Sequence, residues 1–544
     1  MAVEMFRRLL LLSVKYSPFV RCHSSVAKRA PLSFHNQHLL AKRAPLLFLL
    51  AKPSLSTSCS LMASHHTEEQ DAVRRLLPEL LTSKSKENVK GSSGQTLMMS
   101  EADIRQVCSH YLQLSDPAKV DFLTALSELC GTNHEGAIKA AKKLESIQDT
   151  EDDAALFEYE KRLTQSLMPG YRLLFTHIGR LEDGVKFLVD IRADILTLLH
   201  QQKPANDHHM RALNTTLKEM LSHWFSAGLL QLQMITWQSS CDMLQKISEY
   251  EAVHPVRGWA DLKRRVGPYR RCFVYTHSSM PLEPVMVLHT ALTDHIPSNV
   301  QSIVGERKGQ QTTNAPLATE QPEDPEHIKS AIFYSISSTQ KGLRGVDLGN
   351  YLIKQAVRTL QANFPYLTTF CTLSPIPGFT GWLLAEITRL QKGENTTQLF
   401  TSEELQKVHS VSGRTDQSEL ATVERLLATN QWTQSKELVS ILEKPLLRLC
   451  ARYLYAEKHR KFALDSVANF HLRNGAVMWR LNWMGDTSAR GMTSSCGLMV
   501  NYRYFLESTL SNSQSYSENQ TIAVTQQILD LVEEERSVHR KSQL

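Results

Sequence analysis

The chain has 544 residues, 42% of them hydrophobic and 21% charged, which is too long for one ordinary core and too apolar for a disordered chain, so two domains are expected. The formal charge of +6 comes from the first 60 residues, where nine Lys and Arg face a single acid, Glu4; the body beyond is nearly neutral and carries no electrostatic footprint for nucleic acid. Nine scattered cysteines never form C-x-x-C, which argues against a disulfide framework or a zinc site, and the longest apolar runs fall far short of the roughly 18 residues that a membrane span needs.

Residues 1–61 combine Arg, Lys, Ser and Leu with almost no acid, the composition of a mitochondrial transit peptide; a disordered basic arm is the alternative. AKRAPL occurs twice, at 27–32 and 41–46, and Met62 could start a second, shorter form. From 65 to 221 apolar residues recur at three and four spacing, as in LFEYEKRLTQSLMPGYRLLFTHI, so an all-α helical bundle is expected over 70–225, with polar connections at 91–100 and 203–207.

The character changes after Trp237. Short β-rich runs at 272–276, 284–290, 332–337 and 366–373 alternate with helical patterns. The helix expected within 344–362 bridges two of these runs as a βαβ crossover, so a mixed sheet is expected over 226–544. The polar stretch 305–326 reads as a surface loop. Helices are expected at 402–408, 417–428, 435–442 and 446–455. The fold class is therefore α+β multidomain, a helical bundle followed by a mixed α/β domain. In FHLR-NG-AVMWRLNW, Asn474-Gly475 separates two β-compatible runs, which reads as a hairpin with His471 on its first arm.

Three places could carry chemistry. In SISSTQKGLRGVDLGNYLIKQAV a strand ends, three glycines follow and a helix begins; such a turn can present backbone N–H groups to a pyrophosphate, or serve only as a structural turn. Ser374, in LSPIPGF, ends a strand and is followed by a backbone that two prolines and a glycine fix. No G-x-S-x-G elbow is present, so a hydrolase nucleophile is not indicated, and a turn-capping serine is the plain alternative. His471 is a natural proton donor near neutral pH; a satisfied core histidine is its alternative, and spacing alone does not rank His254, His277, His289 or His459 below it.

These segments together resemble the malonyl-CoA decarboxylase family, from about Arg74 onward. The carrying stretches include EAVHPVRGWADLKRRVGPYRRC, EPVMVLHTALT, GLRGVDLGNYLIK, LSPIPGFTGWLL, LCARYLYAEKHR, ANFHLRNGAVMWRLNWMGDTSARGMTSSCGLM and NYRYFL. The resemblance implies a helical N-terminal domain and a catalytic domain with the fold of the GNAT-type N-acetyltransferases. It implies conversion of malonyl-CoA to acetyl-CoA and CO2 without a metal or organic cofactor, which controls malonyl-CoA levels in fatty-acid metabolism. Arg344, Gly345, Val346, Asp347, Leu348, Gly349 and Asn350 match the loop for the coenzyme A pyrophosphate, Asp347 standing where a small residue is common. Ser374 matches the catalytic serine and His471 the catalytic histidine, expected to be protonated when CO2 leaves.

Lys246 is similar to a lysine needed for activity in the family, and Cys241 to a position linked to inter-subunit disulfides in a homo-oligomer, a tetramer by resemblance. Ser542-Gln543-Leu544 approaches the peroxisomal Ser-Lys-Leu, with Gln at the usual cation, so the matrix, the peroxisome with its import receptor, and the cytoplasm are the expected locations. Two other functions compete: an acyltransferase using the same coenzyme pocket, and a non-catalytic acyl-CoA sensor.

Overall fold

A computed structural model describes residues 100–147, 152–201, 207–305, 323–346, 348–394, 397–413 and 418–541. The expected transit segment 1–61, Met62, most of the connections at 91–100 and 203–207, the loop residues 306–322, Asp347 and the tail Ser542-Gln543-Leu544 lie outside the described residues. The chain divides into two compact units, 1–220 and 221–544.

In the first unit every described element is a helix: α1 (Glu101–Gln113), α2 (Asp116–Leu129), α3 (His134–Glu145), α4 (Asp153–Leu167), α5 (Gly170–Ile178), α6 (Gly184–Gln201) and α7 (His208–Trp224). Their starts follow the local chemistry. Ser100 and Asp103 form a reciprocal capping box at α1, and Ser115, Asn133 and Asp152 accept amides at the starts of α2, α3 and α4, each satisfying an N–H that the helix itself leaves open. The apolar stripes meet around Tyr111, whose ring packs edge-on against Phe122 and Phe187 and whose hydroxyl donates to Asp194 at 2.8 Å.

The second unit begins with β1 (Leu230–Ile235), α8 (Cys241–Glu249), α9 (Trp259–Arg265), β2 (Arg270–His277), β3 (Met286–Thr293), the short α10 (Gln301–Val304) and β4 (Ser330–Ser338). It continues through α11 (Gly349–Asn363), β5 (Thr369–Thr372), β6 (Ser374–Pro375), α12 (Phe379–Gln391), α13 (Ser402–Ser412), α14 (Glu419–Thr429) and α15 (Lys436–Tyr455). A small hairpin of β7 (Lys458–His459) and β8 (Phe462–Ala463) leads to α16 (Ser466–Arg473), β9 (Val477–Asn482), α17 (Ala489–Ser495), β10 (Met499–Tyr504), α18 (Thr509–Asn519) and α19 (Gln526–Lys541).

Eight strands form one sheet in the order β1-β2-β3-β4-β5-β10-β6, with β9 on the other edge of β10. The β4–β5 pair is parallel and joined through α11, the expected crossover, and the other pairings are antiparallel. Alternation along β2 assigns the two faces. Cys272 and Val274 join Met243, Leu244, Ile247, Leu262 and Val287 in a core beneath α8 and α9, whereas the hydroxyl of Tyr275 reaches Gln355 of α11 at 2.7 Å. The α8–α9 face also buries Glu251, which accepts from Ser335 Oγ at 2.8 and 2.7 Å and lies 3.3 Å from Nε2 of His289.

Two expectations are corrected. The segment holding His471 is helical, not the arm of a hairpin: Asp465 caps α16 by accepting the Ala468 amide at 2.8 Å, and Gly475, at φ 78°, ends it. The amides of Gly475 and Ala476 return to the carbonyls of Leu472 and His471, so Asn474-Gly475 closes a helix rather than turning a hairpin. The second run does become a strand, β9. Residues 436–455 form one continuous helix, not two, with Ser435 as its N-cap and Pro445 inside it. The proline forfeits one backbone hydrogen bond, and burial of Leu442, Leu446, Leu449 and Cys450 around it holds the helix together.

Candidate active site

The sheet opens where the site lies. β4 and β5 pair from Ser330↔Thr369 to Phe333↔Thr372, after which β4 runs on to Ser338 beside β3 alone. The chain leaving β5 turns instead to β10, pairing Ser374 with Val500 and Pro375 with Met499. Between the parted strands sits Ser374, 5% exposed. Its hydroxyl donates to Thr372 Oγ1 at 2.9 Å and lies 3.1 Å from Nε2 of His471, although 97 residues separate the two in sequence.

β10 holds the histidine from below. Tyr502 stacks on the imidazole with ring centroids 4.7 Å apart, and the hydroxyl of Tyr504 is 2.8 Å from Nδ1. Burial pushes the Tyr504 phenol well above its ordinary range, so it stays protonated; because the Ser374 hydroxyl already donates to Thr372, Nε2 is the donor to Ser374, and Nδ1 is left to accept from the phenol. With the phenol donating to Nδ1, the imidazole carries its proton on Nε2 and donates to Ser374, which passes its own hydrogen to Thr372. The Thr372 oxygen accepts the Tyr502 amide as well, at 3.1 Å. A serine bonded in this direction is not activated as a nucleophile; it is a hydrogen-bonding group held in place. Burial also lowers the His471 imidazole to about 3, which favours its neutral form.

The coenzyme-loop candidates lie next to this centre. Arg344 and Gly345 are exposed, Val346 is half-buried, and Leu348 and Gly349 are buried at the start of α11; Asp347 and the side chain of Asn350 lie outside the described residues. Leu348 at the cap position has no side-chain oxygen to give the first amides of α11, which leaves a helix N-terminus suited to an anion. Gly349 is where the loop meets the histidine helix: a Cβ there would overlap the ring of Phe470, the neighbour of His471. Lys246 and Cys241 lie elsewhere, on α8. Lys246 pairs with Asp242 and Glu283 at 3.2 and 3.0 Å, and Cys241 is exposed at the first position of the helix. Thr372, Tyr502 and Tyr504 were not singled out by sequence, although the alternation in NYRY puts both tyrosines on one face of a strand.

A family model for the malonyl-CoA decarboxylase C-terminal domain matches residues 228–542, and one for the N-terminal domain of the same family matches 131–225. The chain belongs to the malonyl-CoA decarboxylase family. It is 48% identical over 415 residues, 76% of this chain and 80% of that protein, to a mitochondrial malonyl-CoA decarboxylase of Anser anser anser. A second such family member, from Rattus norvegicus, is 48% identical over 434 residues, 79% of this chain and 85% of that protein. Among solved structures, malonyl-CoA decarboxylase from Rhodopseudomonas palustris superposes with a TM-score of 0.67 at 28% identity, covering 84% of this chain and 98% of that one. The Agrobacterium vitis enzyme gives 0.65 at 29% identity, with 84% and 99% covered.

Proposed function

We propose that this chain decarboxylates malonyl-CoA to acetyl-CoA and CO2, with Ser374 and His471 as its catalytic residues and 344–350 as the loop for the coenzyme pyrophosphate. The observation that carries the reading is the buried Ser374–His471 contact of 3.1 Å at the parting of β4 and β5, in a chain of this family. The thioester carbonyl of the substrate is itself the electron sink, so binding, orientation and one proton are what the protein has to supply. Ser374 holds the malonyl carboxylate so that the scissile bond stands perpendicular to the thioester plane, and geometry does most of the work.

The carboxylate brings a negative charge beside His471 and raises the imidazole from its depressed value, because an opposite charge nearby favours the charged form. The site thus takes up a proton with its substrate. As CO2 departs, the electron pair of the broken bond passes into the thioester as an enolate, and Nε2–H gives its proton to the α carbon. The imidazole returns to neutral with its proton on Nδ1, which donates to the Tyr504 oxygen. One malonyl-CoA carboxylate and one proton yield one acetyl-CoA and one CO2.

The relatives' mitochondrial location and the basic, acid-poor segment 1–61 support import into the mitochondrial matrix. Peroxisomal import through Ser542-Gln543-Leu544 and a cytoplasmic form are finer parts of the same proposal. So are a homo-oligomer, a tetramer, built on the helical residues 70–225, catalysis by a GNAT-like domain over 226–544, and oxidative cross-linking through Cys241, whose exposure supports it.

CO2 release from malonyl-CoA by the parent, Ser374→Ala and His471→Ala proteins tests the reading. Release should fall by at least about a hundredfold in His471→Ala, as for removal of a general acid, and by a similar factor in Ser374→Ala through lost orientation of the carboxylate. A parent that binds malonyl-CoA and releases no CO2 would be a sensor, and acyl transfer to an added amine without CO2 would make it a transferase.

A further inference from the structure

Behind the coenzyme loop lies a carboxylate that the mechanism does not use. Glu283 stands in the connection between β2 and β3, next to Leu282, which holds a φ of 62°. Three side chains converge on it: Lys246 Nζ at 3.0 Å, the Tyr250 hydroxyl at 3.3 Å and Gln340 Nε2 at 3.3 Å. The Gln340 amide also donates to the Pro284 carbonyl at 3.1 Å, and the Thr339 amide donates to the Val285 carbonyl at 3.2 Å. Lys246 further donates to the carbonyl of Leu282 at 3.1 Å.

Gln340 is 5% exposed and is the last residue before the single 3₁₀ turn Lys341–Leu343, which delivers the chain into Arg344. The amide of Leu343 returns to the Gln340 carbonyl at 3.0 Å. The loop is therefore fastened at both ends, at Gln340 to the β2–β3 connection and at Gly349 to Phe470. A buried amide that loses its acceptor is left unsatisfied, so Gln340 keeps its place only while Glu283 and Pro284 keep theirs. Backbone donors bind an anion well when they are already in position.

We propose that Glu283 and Gln340 are positioning residues that hold 341–346 in the conformation receiving the coenzyme pyrophosphate, with Lys246 as the outer clamp on Glu283; this rests on the decarboxylase reading above. Neither Glu283 nor Gln340 is among the contacts of Ser374 and His471, which are anchored separately by Thr372, Tyr502 and Tyr504. The latch acts on how tightly coenzyme is held, in ground state and transition state alike.

The experiment measures steady-state CO2 release by the parent and by Gln340→Ala, Glu283→Gln, Lys246→Ala and Lys246→Arg. Two substrates are compared: malonyl-CoA, and malonyl-pantetheine, which keeps the thioester and lacks the pyrophosphate. Loss of uniform binding raises KM with kcat retained, so Gln340→Ala and Lys246→Ala should raise KM for malonyl-CoA roughly tenfold with kcat within about twofold. Lys246→Arg should recover most of the loss, and malonyl-pantetheine should be turned over by every variant at the parent's kcat/KM. Equal losses with both substrates, or a fall in kcat at unchanged KM, would overturn the proposal. The shape-preserving Glu283→Gln carries the same comparison should an alanine variant fail to fold. If the parent itself releases no CO2, the decarboxylase reading fails, and the latch is then judged by calorimetric binding of coenzyme A against pantetheine, where only the former should weaken in the variants.

Discussion

His471 sits among Ser374, Phe470, Tyr502 and Tyr504 with burial as the cause of its lowered pKa. On the proposed mechanism the substrate carboxylate charges this imidazole, so binding takes up a proton. Calorimetric titration at neutral pH, in buffers of different ionisation heat, should find about one proton taken up with succinyl-CoA, an acyl-CoA whose terminal carboxylate has no β-carbonyl to drive its loss. Acetyl-CoA, without the carboxylate, should take up none; equal uptake with both would remove the substrate's charge from the argument. In the sequence Ser374 stands out because two prolines and a glycine fix the backbone after it, whereas His471 is set apart from the rest of the 21 histidines only by the family resemblance. Thr372 and Tyr504 do not stand out, since a strand threonine and a strand tyrosine are ordinary in type and only their partners distinguish them.

Among the elements, α16 shows how a short helix is made dependable. Its eight residues are too few to be stable by propensity, so Asp465 at its start and Gly475 after its end do much of the fixing. Asp465 is itself buried, which raises its carboxyl, and the Tyr453 hydroxyl donates to it at 3.4 Å. Asp465→Ala should lower stability by about 1 to 2 kcal/mol, the usual cost of a lost N-cap, and Asp465→Asn, which keeps an acceptor, by much less. Urea unfolding of the three proteins checks this; equal losses in both variants would assign the effect to charge rather than to capping. The sequence signs for α16 were present, an Asp three residues ahead of an amide it can accept and a glycine just past the helix. In the sequence these signs compete with Asn-Gly between β-compatible runs, because the same dipeptide suits a hairpin turn and a helix end. The strands β2 to β5 were legible from their Val, Ile, Tyr and Phe content. The half-exposed β1 and the two-residue β7 and β8 offered too little periodicity.

At the scale of the whole molecule, burial holds several histidines uncharged. His471 is lowered to about 3 and His289 to about 4, and burial lowers His254 and His277 also. Unfolded, each titrates near the ordinary 6.5. Below that pH the unfolded chain binds protons that the folded chain refuses, so stability is full above about pH 6.5 and falls with acidification, by up to about 1.4 kcal/mol per pH unit for each such histidine. Glu251 adds the same sign at lower pH: burial works against its ionised form, but His289, the amides of Val253 and His254 and the Ser335 hydroxyl outweigh it and keep its carboxyl below the usual value. Thermal melts at pH 7, 6 and 5 should show a progressive fall in Tm, and a flat profile would contradict it. Composition located the cationic excess in residues 1–61, yet it gave no hint of this acid sensitivity, which depends on which histidines the fold encloses.

β10 pairs Val500 with Ser374, stacks Tyr502 on His471 and bonds it through Tyr504, so five consecutive residues measure out the spacing between serine and histidine. Between Ser374 and His471 the chain runs through α12 to α16, a long detour that ends by bringing His471 back to that strand. A one-residue insertion within 500–504 would turn a tyrosine to the opposite face of the sheet and disassemble the pair, however faithfully the detour returned His471 to the strand.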